Sequence, residues 1–122
     1  MVKDEILNVL EDLLNYDDIY GCMLIEKGMA GITPPVEKFK GNIMEIWDIL
    51  QKTIDDVFSI IQQYMDYNLG EISLRLMDYE VMFFVLPQSD TALVVMVPNS
   101  ANKGIIEIAV ESARNRIIKI LE

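Results

Sequence analysis

The spacing of apolar residues changes period several times along this chain, and each change marks a structural element. Over residues 4–15, Ile6, Leu7, Leu10, Leu13 and Leu14 recur at steps of three and four, the stripe of an amphipathic helix. Asp4 and Glu5 occupy its first turn, where carboxylates favour the positive end of the helix dipole. Residues 20–26 form a short apolar run that predicts a buried strand. Lys27-Gly28 then supplies a tight turn into a second strand over residues 29–33. Pro34-Pro35 closes it, since neither proline donates to a ladder.

Residues 42–65 carry a strong helical period. At ~100° per residue, Ile43, Trp47, Leu50, Ile54, Val57, Phe58, Ile61 and Met65 share one face. Ile46, Ile49 and Ile60 widen that face to about half the circumference, where packing on one sheet needs a stripe of ~100°. The excess calls for a second surface.

Three strands follow, over residues 69–77, 79–86 and 91–97. The runs Val81-Met82-Phe83-Phe84-Val85 and Leu93-Val94-Val95-Met96-Val97 do not alternate with polar residues, so both predict strands covered on two faces. In the first of the three, Ile72, Leu74 and Leu76 alternate with Glu71, Ser73, Arg75 and Met77, which suits an edge strand or one with a wet face. After Pro98 and a polar stretch, a final helix places Ile106, Ala109, Val110, Ala113, Ile117 and Ile120 on one side. The order α-β-β-α-β-β-β-α predicts an α/β chain of the α+β type, a three-layer α/β/α sandwich around a five-stranded, mostly antiparallel sheet. The middle helix takes one face and the terminal helices the other, in a single domain spanning residues 1–122.

Composition narrows the chemistry. With no histidine, the usual general base near neutral pH and the commonest transition-metal ligand are both missing. The single cysteine, Cys22, lies in a predicted buried strand and reads as core filler; a disulfide framework is excluded. The formal net charge of −10 repels nucleic acid and anionic membrane surfaces. No apolar run approaches the ~20 residues that span a bilayer. The expected setting is cytoplasmic.

The order of elements and two local patterns resemble the roadblock/dynein-light-chain domain. Residues 21–29, Gly-Cys-Met-Leu-Ile-Glu-Lys-Gly-Met, look like the family's first hairpin, and Asn102-Lys103-Gly104 is similar to the start of its last helix. The resemblance implies a homodimer, or a heterodimer of like domains, joined at the third strand with the middle helices packed antiparallel. It implies an interface of Ile46, Ile49, Thr53, Ile60, Ile72, Leu74 and Leu76. It further implies a non-enzymatic scaffold or adaptor for a small Ras-like GTPase or similar protein, with no cofactor.

Asp17-Asp18 reads as turn chemistry after the first helix, and adjacent Asp55 and Asp56 diverge by ~100° on a helix. Gly28 and Gly31 belong to a hairpin, without phosphate-loop spacing. Arg114 and Arg116, conceivable as arginines supplied to a GTPase, read as solvated surface away from the core stripe. Trp47 reads as core. Tyr64, Met65, Tyr67, Met77 and Tyr79 form either an exposed soft patch for a partner or ordinary core. A rival function is a small-molecule-sensing module of profilin- or PAS-like layout. It would need a pocket between sheet and helix, which Trp47, Met82, Phe83 and Phe84 are expected to fill.

Overall fold

A computed structural model describes residues 1–87 and 90–122. Helix α1 (Val2–Leu14) leads into strands β1 (Gly21–Glu26) and β2 (Met29–Ile32). Helices α2 (Met44–Lys52) and α3 (Ile54–Gln63) follow, then β3 (Glu71–Arg75), β4 (Tyr79–Val85), β5 (Thr91–Pro98) and α4 (Lys103–Leu121). The sheet runs β2-β1-β5-β4-β3, and every neighbouring pair is antiparallel. The segment from β2 to β3 therefore crosses from one edge to the other, which lays α2 and α3 across one face.

The period-two alternation of the central strands divides the core in two. Cys22, Leu24, Met82, Phe84, Leu93, Val95 and Val97 pack beneath α1 and α4. Met23, Ile25, Val81, Phe83, Val85, Val94 and Met96 pack against Trp47, Leu50, Val57, Phe58 and Ile61 of α2 and α3. This is the expected three-layer sandwich. Phe83 and Trp47 fill the space under α2–α3, while Met82 and Phe84 fill the opposite layer. The four large side chains thus serve two cores, not one pocket.

The middle helix is broken where continuity was expected. Thr53 departs from helical geometry at φ −109°, ψ 6°. Its hydroxyl donates back to the carbonyls of Ile49 and Leu50, at 3.2 and 3.0 Å. Such back-bonding by threonine competes with the helical ladder and bends it. Asp55 and Asp56 then occupy the first turn of α3, where the helix dipole favours them. Helix α3 ends at Gln63, so Met65 lies beyond it in a short 3-10 turn and is exposed.

Strand β3 is shorter than the predicted 69–77 and lies at the sheet edge. At the other edge, β2 has four residues, a register irregularity opposite Leu24–Glu26, and Pro34-Pro35 shortly after it. Gly28 turns the β1–β2 hairpin at φ 74°, the left-handed region that a glycine enters without a Cβ penalty. The Asn102 side chain caps α4 by accepting from the Ile105 N–H.

Candidate functional site

The outer side of α2, α3 and β3 holds the residues assigned to an interface. In α2, Ile46 is half-buried against the second core, while Ile49 keeps 57% of its surface exposed. Ile60 on α3 keeps 45%. Thr53, between the helices, is half-buried with its hydroxyl committed to the α2 carbonyls. In β3, Ile72 packs against the second core and Leu74 stays 45% exposed. Leu76, just past the strand, is also exposed. The register places Ile72 and Leu74 opposite Phe83 and Val81, hence on the α2–α3 side of the sheet. One subunit thus leaves this helical layer and its edge strand with uncovered aliphatic side chains. Glu45, Asp48, Asp55 and Asp56 are exposed on the same two helices, with Lys52 the nearby cation.

The opposite side of β3 is polar. Glu71, Ser73 and Arg75 face Phe84, Met82 and Glu80. Glu80 is buried and accepts hydrogen bonds from the Lys103 ammonium and the Ser73 hydroxyl. Arg75 lies farther off, at 3.9 Å, with a largely exposed side chain. The Lys103 bond, then that of Ser73, hold the Glu80 carboxyl below its ordinary value against the opposing effect of burial. This cluster joins β3, β4 and the start of α4. Its sequence signal was a lone carboxylate at an inward position of an apolar strand, but Lys103 lies 23 residues away and gave no local cue.

A second cation was equally unannounced. The Lys40 ammonium donates to the carbonyls of Leu14 and Tyr16, both at 2.6 Å, and of Ile19 at 3.2 Å. It thereby satisfies the end of α1, where carbonyls lack helical partners. Gly41 follows at φ 68°, pressed so close that a Cβ would stand 2.7 Å from the Tyr20 ring.

The remaining candidates separate cleanly. Burial pushes the Cys22 thiol up to about 12, with Lys40 opposing weakly, and Cys22 sits within the first core. Its thiolate is therefore scarce at neutral pH. Asp18 accepts from the Asn102 N–H at 3.2 Å, tying the turn after α1 to the cap of α4. Arg116 bridges α4 to α1 through Asp12 at 2.8 Å. Arg114 is not on open surface as expected: its side chain is only 26% exposed, with Glu111 at 3.5 Å. The aromatic–methionine group divides. Tyr64, Met65 and Tyr67 are exposed beyond α3, with Met65 near Val85–Pro87. Met77 and Tyr79 lie at the other end of β4, where the Tyr79 ring meets Tyr20. Among the described residues, no group of three or more Asp, Glu or Cys is placed to hold a metal, and no helix is long and apolar enough to cross a membrane.

An antiparallel five-stranded sheet with α1 and α4 on one face and a helical crossover on the other is the roadblock fold, and solved structures bear this out. MglB of Myxococcus xanthus superposes with a TM-score of 0.72 at 12% identity, covering 98% of this chain and 89% of that one. A Roadblock/LC7 domain from Streptomyces avermitilis gives 0.69 at 9% identity, covering 93% and 94%. MglC of Myxococcus xanthus gives 0.62 at 12%, covering 93% and 96%; another similar structure is MglB in a tetrameric arrangement. No protein-family model and no curated protein sequence matches this chain.

Proposed function

We propose that this chain is a non-enzymatic dimeric scaffold that presents its joined sheet and paired α2–α3 layers to a small Ras-like GTPase or a similar protein. The observation that carries this reading is the uncovered aliphatic surface shared by α2, α3 and β3. Ile49 and Ile60 on the helices and Leu74 and Leu76 at the edge strand are exposed, while Ile46, Thr53 and Ile72 are half-buried. Exposed apolar patches of this kind mark interaction sites. Similarity in fold to MglB, including one in a tetrameric arrangement, supports association between copies. The roadblock resemblance supports a GTPase-type partner.

Light scattering on the purified protein tests the assembly. The expected species at micromolar concentration has twice the 14.0 kDa mass of the chain. A monomer at that concentration refutes the reading.

A further inference from the structure

The free edge of β3 is self-complementary, and we infer that it selects a second copy of this same chain in one register, centred on Ser73 and locked by reciprocal Glu71–Arg75 ion pairs. The inference rests on the dimer reading above and adds to it the alignment of the strands and the charges that fix it.

Two independent features lead to that register. The first is the ladder. Leu76 N–H donates to Tyr79 O, and Val85 N–H donates to Gly70 O, so the even-numbered residues of β3 spend their backbone groups on β4. By the alternation of an antiparallel strand, Glu71, Ser73 and Arg75 point theirs outward, toward the free edge. A two-fold through Ser73 sets Ser73 against its own copy and Glu71 against Arg75 of the other copy, in both directions. All three outward residues of β3 are then paired, each facing pair exchanging two hydrogen bonds. Centring on Ile72 leaves Arg75 opposite Leu69, and centring on Leu74 leaves Glu71 opposite Met77. Both partners lie outside the strand. A slip of one residue is worse, because it turns Ile72 and Leu74 to the wrong face.

The second feature is charge. Glu71, Ser73 and Arg75 share the face of the sheet that carries Glu80. Glu71 is exposed and has no ion pair among the described residues. The Arg75 side chain is 75% exposed, and Glu80, its 3.9 Å neighbour, is already held by Lys103 and Ser73. In the Ser73-centred register each carboxylate meets a guanidinium directly across the ladder, where opposite charges stabilise and like charges destabilise. The opposite face then pairs Ile72 with Leu74 of the other copy, twice. A strand with an acid at one end and a base at the other thus recognises itself when reversed.

Sedimentation measurements on charge-swapped chains test the inference. Wild type dimerises; Glu71→Arg and Arg75→Glu each face two like-charge pairs and dissociate on the order of tenfold more readily. An equimolar mixture of the two variants restores wild-type affinity as a heterodimer, because every facing pair is again opposite in sign. Glu71→Arg lies clear of Glu80 and reads the pair without disturbing that cluster; its deficit shrinks in 0.5 M salt, as an ion-pair effect does. Variants that dimerise as tightly as wild type overturn the register and leave the dimer standing. Weakened variants that the mixture does not rescue overturn it too. A monomeric wild type overturns both the register and the dimer reading.

Discussion

Ile49→Ala separates association from folding, because this side chain is greasy yet mostly uncovered within its own subunit. Fully burying an isoleucine is worth about 1.5–3 kcal/mol. Ile49 leaves 57% of its surface exposed, so covering that remainder contributes about 1 kcal/mol per copy. A symmetric dimer holds two copies. The substitution therefore costs about 2 kcal/mol of association, a rise of roughly thirtyfold in Kd. Unfolding of the isolated subunit, in contrast, should shift by less than about 0.5 kcal/mol, with alanine's higher helix propensity acting in its favour. Truncating Ile61, only 1% exposed on α3, provides the comparison at about 2–5 kcal/mol of stability. Sedimentation velocity across a dilution series gives the association constant. Urea unfolding well below that concentration gives the stability of the subunit free of mass action. An Ile49→Ala chain that dimerises as wild type refutes the assigned surface, and one that loses stability as Ile61→Ala does refutes the argument from exposure.

Three further outcomes follow from the polar contacts. Because Glu80 titrates below its ordinary value when folded, its contribution is full above the unfolded carboxylate value and is lost as pH falls through the folded one. The stability gap between wild type and Glu80→Gln in urea should therefore narrow as pH falls below the ordinary carboxylate range; a gap independent of pH contradicts the ion pair. Lys40→Met removes the donor shared by three carbonyls and should cost about 1.5–3 kcal/mol in thermal unfolding, and an unchanged midpoint would show those carbonyls content with water. Cys22, its thiol pushed up to about 12, should resist a disulfide-exchange reagent at pH 8 in the native protein and react at once in denaturant. Rapid native labelling would contradict its burial.

Most of the architecture was readable because it depends on period. The unbroken apolar runs of β4 and β5 marked covered strands, the alternation from Ile72 to Leu76 marked an edge, and the stripe from Ile106 to Ile117 marked the buried side of α4. Of the three residues that widened the apolar arc, Ile49 and Ile60 stay exposed in the subunit while Ile46 is half-buried. Failures came where one side chain outweighs a pattern. The break at Thr53 depends on where a hydroxyl donates, and the apolar spacing runs through it almost in phase. The aromatic–methionine group reads equally as partner patch or core. Tyr67 and Met77 are near in sequence, but β3 carries the chain from one end of the sheet edge to the other between them, so the group divides. Lys40 and the Glu80–Lys103 pair were silent because their partners are more than 20 residues distant, beyond any local motif. Arg114 lay at the margin of the stripe, where a long aliphatic stem tucks in while its head seeks a carboxylate.

The contrast between the two rims of the sheet has a consequence for how large the assembly grows. A β-sheet open at both ends is a seed for endless stacking, and head-to-tail joining of unlike rims makes filaments. Here the rims cannot substitute for each other. Strand β2 is stunted, kinked out of register and followed by two prolines that withhold donors, so it makes a poor template. In the proposed dimer, union through β3 would consume the one good rim of each copy and leave only the blunted kind outermost, so growth by strand addition would halt at two.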